Sequence, residues 1–440
     1  MTDSFKKIIP QNDKQAFWLS FFLCLFFSSI IIFVVAPVTG LSKNFGSGND
    51  GYIQIARNFV AGNGYVFEKG GPPVFHRPPM YPLFLVPVAL FPEYLQRYII
   101  IIPQSILVGF IGMMIFKIAR QLYNQNIASI ALLLFLINPW VYWNAKNPMT
   151  AILQTFLYLI FTYCVGKNLF AVNGFKPYRY GLFLGLSGAA LILSHAAMLP
   201  VAILLIGVIF FVSVFKCPKK IYTAVISIVL IVILVAPWTY RNWIVFQKFI
   251  PVAGGGGLAF FNGNVHWQGV EEGPQKKGES YIDASARVIG IDGNEATLTH
   301  WKGFKNIEHE QIANQQMTEF IKNNPGLFAK KITLNAIEYY FPAFTKNFLA
   351  IKSVTIESWA LSLFHLFLWI TALAGVFFYR KKGLLLILCI ILYDIWYFPF
   401  ATFIGHSLYT LGTIPFLSIL AAAGIISLFR LFSSISARSR

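Results

Sequence analysis

Apolar runs of about 20 residues recur along the whole chain and are separated by short polar connections. An α-helix needs a run of this length to cross the hydrocarbon core of a bilayer. The pattern therefore predicts an all-α polytopic membrane protein with about ten transmembrane helices. The predicted spans are 17–38, 94–117, 127–141, 150–165, 180–193, 196–215, 221–238, 359–379, 383–400 and 408–429.

Two longer polar segments interrupt this pattern. The first, 39–93, contains Ile53, Ala56 and Val60 at helical spacing, with polar side chains between them. This spacing predicts an amphipathic helix that lies along the membrane surface. Glycine-rich turns at 62–64 and 70–73 follow, and the proline-rich stretch "HRPPMYP" closes the segment.

The second polar segment predicts a small outer cap rather than an independent domain. Its glycine run at 254–257 is free to adopt positive φ and to approach a ligand closely. A polar stretch at 266–293 predicts a lid-like loop, and helices are expected over 304–323 and 327–340. We therefore divide the chain into an N-terminal transmembrane module (1–245) whose first outer loop is 39–93, a cap (246–358) and C-terminal transmembrane helices (359–440).

The positive charges indicate an orientation in the membrane. The formal net charge is +18 with only 12% charged residues, and Lys and Arg gather in alternate short connections, as at Lys216, Lys219 and Lys220. The positive-inside rule places these connections and both termini in the cytoplasm, and both polar segments outside. Because topology explains most of this charge, no nucleic-acid partner is expected, and membrane lipids are the expected surroundings.

Cysteine usage and motifs exclude several classes of protein. Cys24, Cys164, Cys217 and Cys389 fall in spans or at cytoplasmic ends, so no structural disulfide is expected. The chain has no P-loop, which argues against an ATP-driven pump. The first outer loop offers too few oxygen ligands for a divalent ion, so we predict a reaction that needs neither metal nor other cofactor.

Asp50 is the candidate for acid–base chemistry in the first outer loop. Glycosyl transfer requires that an acceptor hydroxyl lose its proton as it attacks, and a carboxylate general base contributes about 10²–10⁴-fold. The same residue type is also a common helix N-cap, and a helix is expected to begin at Gly51. The residues alone leave general base and N-cap equally supported.

Three cations outside the spans suit an anionic lipid phosphate. Arg77 follows His76 in the first outer loop, Arg241 follows the seventh span, and Lys146 lies in an otherwise uncharged outer turn. The alternative for each arginine is an interfacial side chain that reaches lipid headgroups. His195 also lies near an outer span end, where a histidine is more often an interfacial residue than a catalyst.

Several segments together resemble a known family. "NDGYIQIARNFVAGNGYVF" with "HRPPMYPLFL", "APWTYRNWIVFQKFIPVAGGGGLAFFNGN" and "IKNNPGLFAKKI" are similar to the bacterial GT-C glycosyltransferases. That group includes protein O-mannosyltransferases and lipid A aminoarabinose transferases. The resemblance implies transfer of a sugar from undecaprenyl phosphate, or another polyprenyl phosphate, with inversion. It also implies a bacterial inner membrane, with lipid A core, O-antigen or another surface glycan as acceptor.

The resemblance also implies roles for individual residues. It favours Asp50 as the general base and Arg77, Arg241, Lys146 and His76 as contacts to the donor phosphate. Tyr52, His195, Tyr409 and Asn264 are candidate substrate contacts. The chain departs from the family pattern at Ala151, His195 and Leu408, where relatives often carry an acid or an arginine.

Two other functions fit the same membrane pattern. A lipid-linked glycan flippase would carry charges along a path through its spans, whereas the spans here are nearly free of charge. An O-antigen-type polymerase would differ from the favoured function in the size of its donor. The distribution of charge favours a glycosyltransferase.

Overall fold

A computed structural model describes residues 10–39, 51–170, 177–216, 218–256, 307–344, 356–397 and 410–438. These residues form α-helices with short connections, and Val66 and Pro73 form an isolated antiparallel bridge. The helices are Asp13–Ile30 (α1, continued by a π-helical turn Ile31–Val35 and by Ala36–Thr39), Tyr52–Val60 (α2), Met80–Ala89 (α3), Glu93–Ile99 (α4), Ile101–Leu122 (α5), Gln125–Ile137 (α6), Pro139–Ala145 (α7), Ala151–Phe170 (α8), Pro177–Ser194 (α9), Met198–Lys216 (α10), Ile221–Phe246 (α11), Ile307–Asn323 (α12), Pro325–Tyr340 (α13), Ile356–Phe378 (α14), Arg380–Asp394 (α15) and Ile414–Arg438 (α16).

The polytopic all-α fold is confirmed, but the number of spans is lower than predicted. Within the described residues, six helices are long and apolar enough to cross a membrane, and one bent pair makes a seventh. The remaining predicted spans, 150–165, 180–193 and 383–400, are helical over 151–165, 180–193 and 383–394, and residues 395–397 form a turn. These three helices are not counted as candidate membrane spans, because α8 and α9 carry more polar residues and α15 has only 15 residues.

The bent pair corresponds to the third predicted span, 127–141. Helix α6 ends at Ile137, and α7 leaves it at an angle of 60°. Pro139 is the first residue of α7 and has no N–H to continue the hydrogen bonding of α6. The side chain of Asn138 accepts a hydrogen bond from the Trp140 amide and so caps the new helix.

Small residues allow the helices to pack closely. A methyl group on Gly424 of α16 would overlap the carbonyl oxygen of Thr371 in α14, and one on Gly375 would overlap the Leu420 carbonyl. The backbones of α14 and α16 are thus in direct contact, which is a common arrangement where helices associate in a membrane.

The seventh predicted span is longer than expected. The sequence predicts an end near Trp238, but α11 continues through Pro237 to Phe246 and stops where Gln247 adopts a left-handed φ of 52°. The last turns of this helix therefore carry Trp238, Arg241 and Asn242 on a rigid element.

The predicted helices outside the spans are confirmed. In α2, Ile53 and Ala56 are fully buried as expected, whereas Val60 is 39% exposed and lies off the packed face. Arg57 is partly buried, and its guanidinium pairs with Glu93 and donates to Gln96, each over 2.6 Å. Helices α12 and α13 match the two helices predicted for the cap, and Pro325 is the first residue of α13.

Candidate functional site

Arg241 anchors the first outer loop to the end of α11. One Nη atom donates to the carbonyl oxygen of Val74 over 3.0 Å and to Oδ1 of Asn242 over 2.9 Å. The guanidinium lies 4.9 Å from the ring centre of Trp238 and 5.5 Å from that of Tyr65. A planar cation is suited to this combination of ring contacts and hydrogen bonds.

The chain after α11 folds back and joins the same loop. Trp238 Nε1 donates to the Val252 carbonyl over 2.6 Å, and the amide of Gly254 donates to the Phe75 carbonyl over 3.0 Å. Gly255 has a φ of +88°, and a Cβ there would lie 2.9 Å from the Cβ of His76. The described part of the glycine run thus approaches the first outer loop closely, and only a residue without a side chain fits.

Tyr65 and Tyr52 surround Arg77. The Tyr65 hydroxyl lies 3.0 Å from the Arg77 carbonyl and 2.9 Å from the Pro78 carbonyl, and donates to them. The Arg77 guanidinium lies 5.2 Å from the ring centre of Tyr52, which is 3% exposed. Burial raises the pKa of Tyr65 well above its ordinary value, so this hydroxyl remains a hydrogen-bond donor.

His76 is enclosed by aromatic rings. Its imidazole centre lies 5.3 Å from the ring of Phe67 and 5.3 Å from that of Phe75. The side chain therefore sits where the first outer loop meets the glycine run.

His195 lies within range of the charge of Arg77, although the two residues are far apart in sequence. It lies in the turn after α9, accepts a hydrogen bond from the Ala197 amide over 3.3 Å, and lies 5.5 Å from the ring centre of Tyr397. Burial and the positive charge of Arg77 lower the pKa of His195 to about 4. The imidazole is therefore neutral at physiological pH and is not a cation for a phosphate.

Lys146 is buried at the end of α7. It is 8% exposed, its Nζ lies 3.8 Å from the ring centre of Trp143, and it donates to Oδ1 of Asn147 over 3.3 Å. Burial lowers the pKa of Lys146 to about 8. The ammonium is thus largely charged at neutral pH, but its charge is poorly solvated, which favours an anionic partner.

Three of the predicted site residues, Asp50, Tyr409 and Asn264, lie outside the described residues. The structure does describe the start of α2, where Gly51 occupies the N-cap position with a φ of 75°. The alternative in which Asp50 is the N-cap assumes a helix that begins at Gly51, whereas α2 begins one residue later, at Tyr52. Asp50 directly precedes this cap and lies two residues before Tyr52.

The described residues contain no group of three or more His, Cys, Asp and Glu side chains that would hold a metal ion. Asp50 and most acids of the cap are not among those residues. The expectation of a metal-independent reaction therefore remains a prediction.

Comparison with solved structures identifies the fold, whereas comparison of sequences finds no match. No family model matches the chain, and no curated protein is detectably similar to it in sequence. The solved structure of the archaeal oligosaccharyltransferase AglB from Archaeoglobus fulgidus, with an inhibitory peptide and a dolichol-phosphate, matches with a TM-score of 0.50 and 12% identity over 96% of this chain. The chain has the GT-C fold. It spans about half of that longer protein, with 52% of AglB covered.

Two further matches are to ArnT from Cupriavidus metallidurans. The apo structure gives a TM-score of 0.37 and the structure bound to undecaprenyl phosphate gives 0.38, each at 13% identity and over 72% of ArnT. They cover 85% and 84% of this chain, respectively. The GT-C fold agrees with the family resemblance found in the sequence segments.

Sequence reasoning missed Tyr65 and Tyr397. Tyr65 contacts the Arg77 carbonyl and the Arg241 guanidinium, and Tyr397 packs against His195 and accepts a hydrogen bond from Gln154. A tyrosine beside a glycine turn, or at the end of a predicted span, has no sequence pattern that separates it from the interfacial aromatic belt. Only the fold brings Tyr65 to the arginines and Tyr397 to His195.

Proposed function

We propose that this chain is a membrane glycosyltransferase that transfers a sugar from a polyprenyl-phosphate donor to a glycan or lipid acceptor. The reaction takes place on the extracytoplasmic side of a bacterial inner membrane, and both termini are cytoplasmic. The GT-C fold supports this proposal, since the matched AglB structure contains a dolichol-phosphate. Undecaprenyl phosphate is the bacterial donor lipid that we propose for this chain.

One observation carries the proposal. The first outer loop and the end of α11 bring Arg77 and Arg241 to the same tyrosine, because the Tyr65 hydroxyl donates to the Arg77 carbonyl and the Arg241 guanidinium lies 5.5 Å from the Tyr65 ring centre. The turn after α9 brings the neutral His195 within range of the charge of Arg77. Cations with their hydrogen-bond donors arranged before the reaction stabilise the charge that develops on a leaving phosphate.

The chemical step that we propose is a displacement with inversion. The oxygen of an acceptor hydroxyl attacks the anomeric carbon of the donor sugar, and the bond from that carbon to the phosphate oxygen breaks. The hydroxyl proton passes to the carboxylate of Asp50, and the released polyprenyl phosphate keeps the bonding electrons as negative charge. Arg77, Arg241, Lys146 and His76 are proposed to surround that phosphate, while Tyr52, His195, Tyr409 and Asn264 contact the sugar or acceptor.

Removal of the gene tests the function even where the acceptor and the sugar have not been identified. We expect mass spectrometry of surface glycans and lipids to show a component that loses one sugar, and the wild-type chain to restore it. Asp50→Asn should not restore it, whereas Glu93→Gln should, because Glu93 is an exposed acid that pairs with Arg57 away from the cations. Identical glycans and lipids in the presence and absence of the protein would contradict the proposal.

A further inference from the structure

Gln104 of α5 holds the turn that contains Lys146. The side chain is fully buried, and its Nε2 donates to the carbonyl oxygen of Asn147 over 2.5 Å and to that of Asn144 over 3.3 Å. These two carbonyls precede and follow Lys146 in the chain. One buried amide therefore fixes the backbone on both sides of this lysine.

The same amide also contacts the first outer loop. Nε2 of Gln104 lies 3.3 Å from the hydroxyl of Tyr81, a fully buried residue of α3. The Tyr81 ring packs edge-on against Tyr52 with ring centres 5.1 Å apart, and the Tyr52 ring in turn contacts the Arg77 guanidinium at 5.2 Å. Gln104 thus contacts the turn that contains Lys146 and is linked through Tyr81 and Tyr52 to Arg77.

We propose that Gln104 is a positioning residue that sets the separation of Lys146 and Arg77, so that both contact one lipid phosphate. The inference rests on the proposed function, because it assumes an anionic phosphate as ligand. Burial of the Lys146 ammonium is costly unless an anion compensates for it, and a turn held at both ends keeps that ammonium in place. An amide suits this role, since it donates hydrogen bonds to carbonyls without adding a charge beside the cations.

Gln104→Met is the variant that tests this inference. Methionine has a similar length and keeps the packing, but it donates no hydrogen bond. The matched control is Gln96→Met. Gln96 is 2% exposed and donates to the Phe91 carbonyl over 2.7 Å, but its side-chain partner is Arg57 rather than a candidate phosphate cation.

Binding of undecaprenyl phosphate to the purified full chain in detergent is measured from pH 7.5 to 10, with undecaprenol as the uncharged probe. For the wild type we expect affinity for the phosphate to fall as pH rises through about 8, because Lys146 loses its charge. Gln104→Met should weaken binding about tenfold at pH 7.5, which corresponds to the loss of one well-placed charged contact. In this variant the affinity for the phosphate should also fall at a higher pH than in the wild type, because a Lys146 side chain that is no longer held in place becomes hydrated and its pKa rises.

Gln96→Met should retain both the wild-type Kd and the wild-type pH dependence, even if its thermal stability falls as much as that of Gln104→Met. A Gln104→Met variant with the wild-type Kd and pH dependence would overturn the positioning role. If the wild type does not prefer undecaprenyl phosphate over undecaprenol, the donor assignment fails, and this inference fails with it.

A second variant covers the case in which Gln104→Met does not fold. Tyr81→Phe removes only the hydroxyl that Gln104 contacts and keeps the packing on Tyr52. Because Gln104 still holds both carbonyls around Lys146, we expect a Kd increase of about twofold to threefold with an unchanged pH dependence. A Tyr81→Phe variant with the wild-type Kd would contradict the inference that Gln104 and Tyr81 together set the separation of Lys146 and Arg77.

Discussion

The hydroxyl of Tyr340 donates a hydrogen bond to Oδ2 of Asp394 over 2.6 Å. Tyr340 is the last residue of α13, in the cap, and Asp394 is the last residue of α15. The hydroxyl of Thr413, just before α16, lies 2.8 Å from that of Tyr340, and all three residues are buried. A single tyrosine therefore joins α13 to the end of α15 and to the residue that precedes α16.

This contact predicts a loss of stability in Tyr340→Phe. Removal of the hydroxyl takes one hydrogen-bond donor away from the buried carboxyl of Asp394, which typically costs about 1–3 kcal/mol. We expect a lower midpoint in thermal unfolding of the detergent-solubilised protein. Tyr379→Phe is the control, because its hydroxyl makes no hydrogen bond within the described residues, and equal midpoints for the two variants would contradict the prediction.

Asp50→Asn separates catalysis from helix capping. Gly51 is the N-cap of α2, so the variant should fold like the wild type and bind undecaprenyl phosphate normally. The amide cannot take the acceptor proton, and we expect transfer to slow at least about a hundredfold. Transfer is measured on the product that the gene-removal experiment identifies, with Glu93→Gln as the control, and near-normal transfer by Asp50→Asn would move the search for a base to His76.

Arg241→Lys should loosen the first outer loop. Lysine keeps the charge but lacks the planar group that contacts the Trp238 and Tyr65 rings while it donates to the Val74 carbonyl. We expect hydrogen exchange at the Gly254 amide to rise roughly tenfold, as for one lost hydrogen bond, and binding of undecaprenyl phosphate to weaken. In Arg57→Lys the Gly254 amide should exchange at the wild-type rate. Unchanged exchange in Arg241→Lys would show that the guanidinium does not hold the loop.

Acid sensitivity should depend in part on His195. Its folded-state pKa of about 4 lies below the ordinary 6.5, so below pH 6.5 the unfolded chain gains a proton that the folded chain does not. Stability from this group is therefore complete above pH 6.5 and is lost progressively toward pH 4, by at most about 3 kcal/mol. His195→Gln should lose less stability than the wild type between pH 7 and 4. Parallel melting curves against pH would contradict this assignment.

Topology can be tested with fusions. We expect a reporter after Gly263 to be extracytoplasmic and one after Lys219 to be cytoplasmic, because the short basic connections all fall on one predicted side. A cytoplasmic signal at Gly263 would place the proposed site in the wrong compartment. The measurement requires only active and inactive reporters at the two positions.

The sequence predicts helices well and their interactions poorly. Apolar runs and start signals such as Pro325 are sufficient for most helices, because these signals act within a few residues. The contact of Arg241 with the Val74 carbonyl joins positions 167 residues apart, and no local pattern encodes it. The same holds for Gln104, which in sequence is only a polar residue inside an apolar run and predicts neither of its partners.

The sequence also does not show which of the titratable side chains are charged at neutral pH. His195 and Lys146 are predicted as polar contacts, but their ionisation depends on burial, which is a property of the fold. The family resemblance singles out candidate positions in the first outer loop, whereas Tyr65 and Tyr397 become visible only where separate elements meet.

The bend between α6 and α7 determines where Lys146 lies, although Lys146 comes after the end of α7. Helix α7 has seven residues, a length of about 10 Å at 1.5 Å per residue. With a 60° change of direction, its far end lies about 10 Å from where an unbroken helix would carry it. The Asn138–Pro139 pair thus determines the location of a cation that neither residue touches. In a GT-C fold, a change of the angle at this pair would move Lys146. The site could then accept a ligand of another size while every residue that contacts the ligand stays the same.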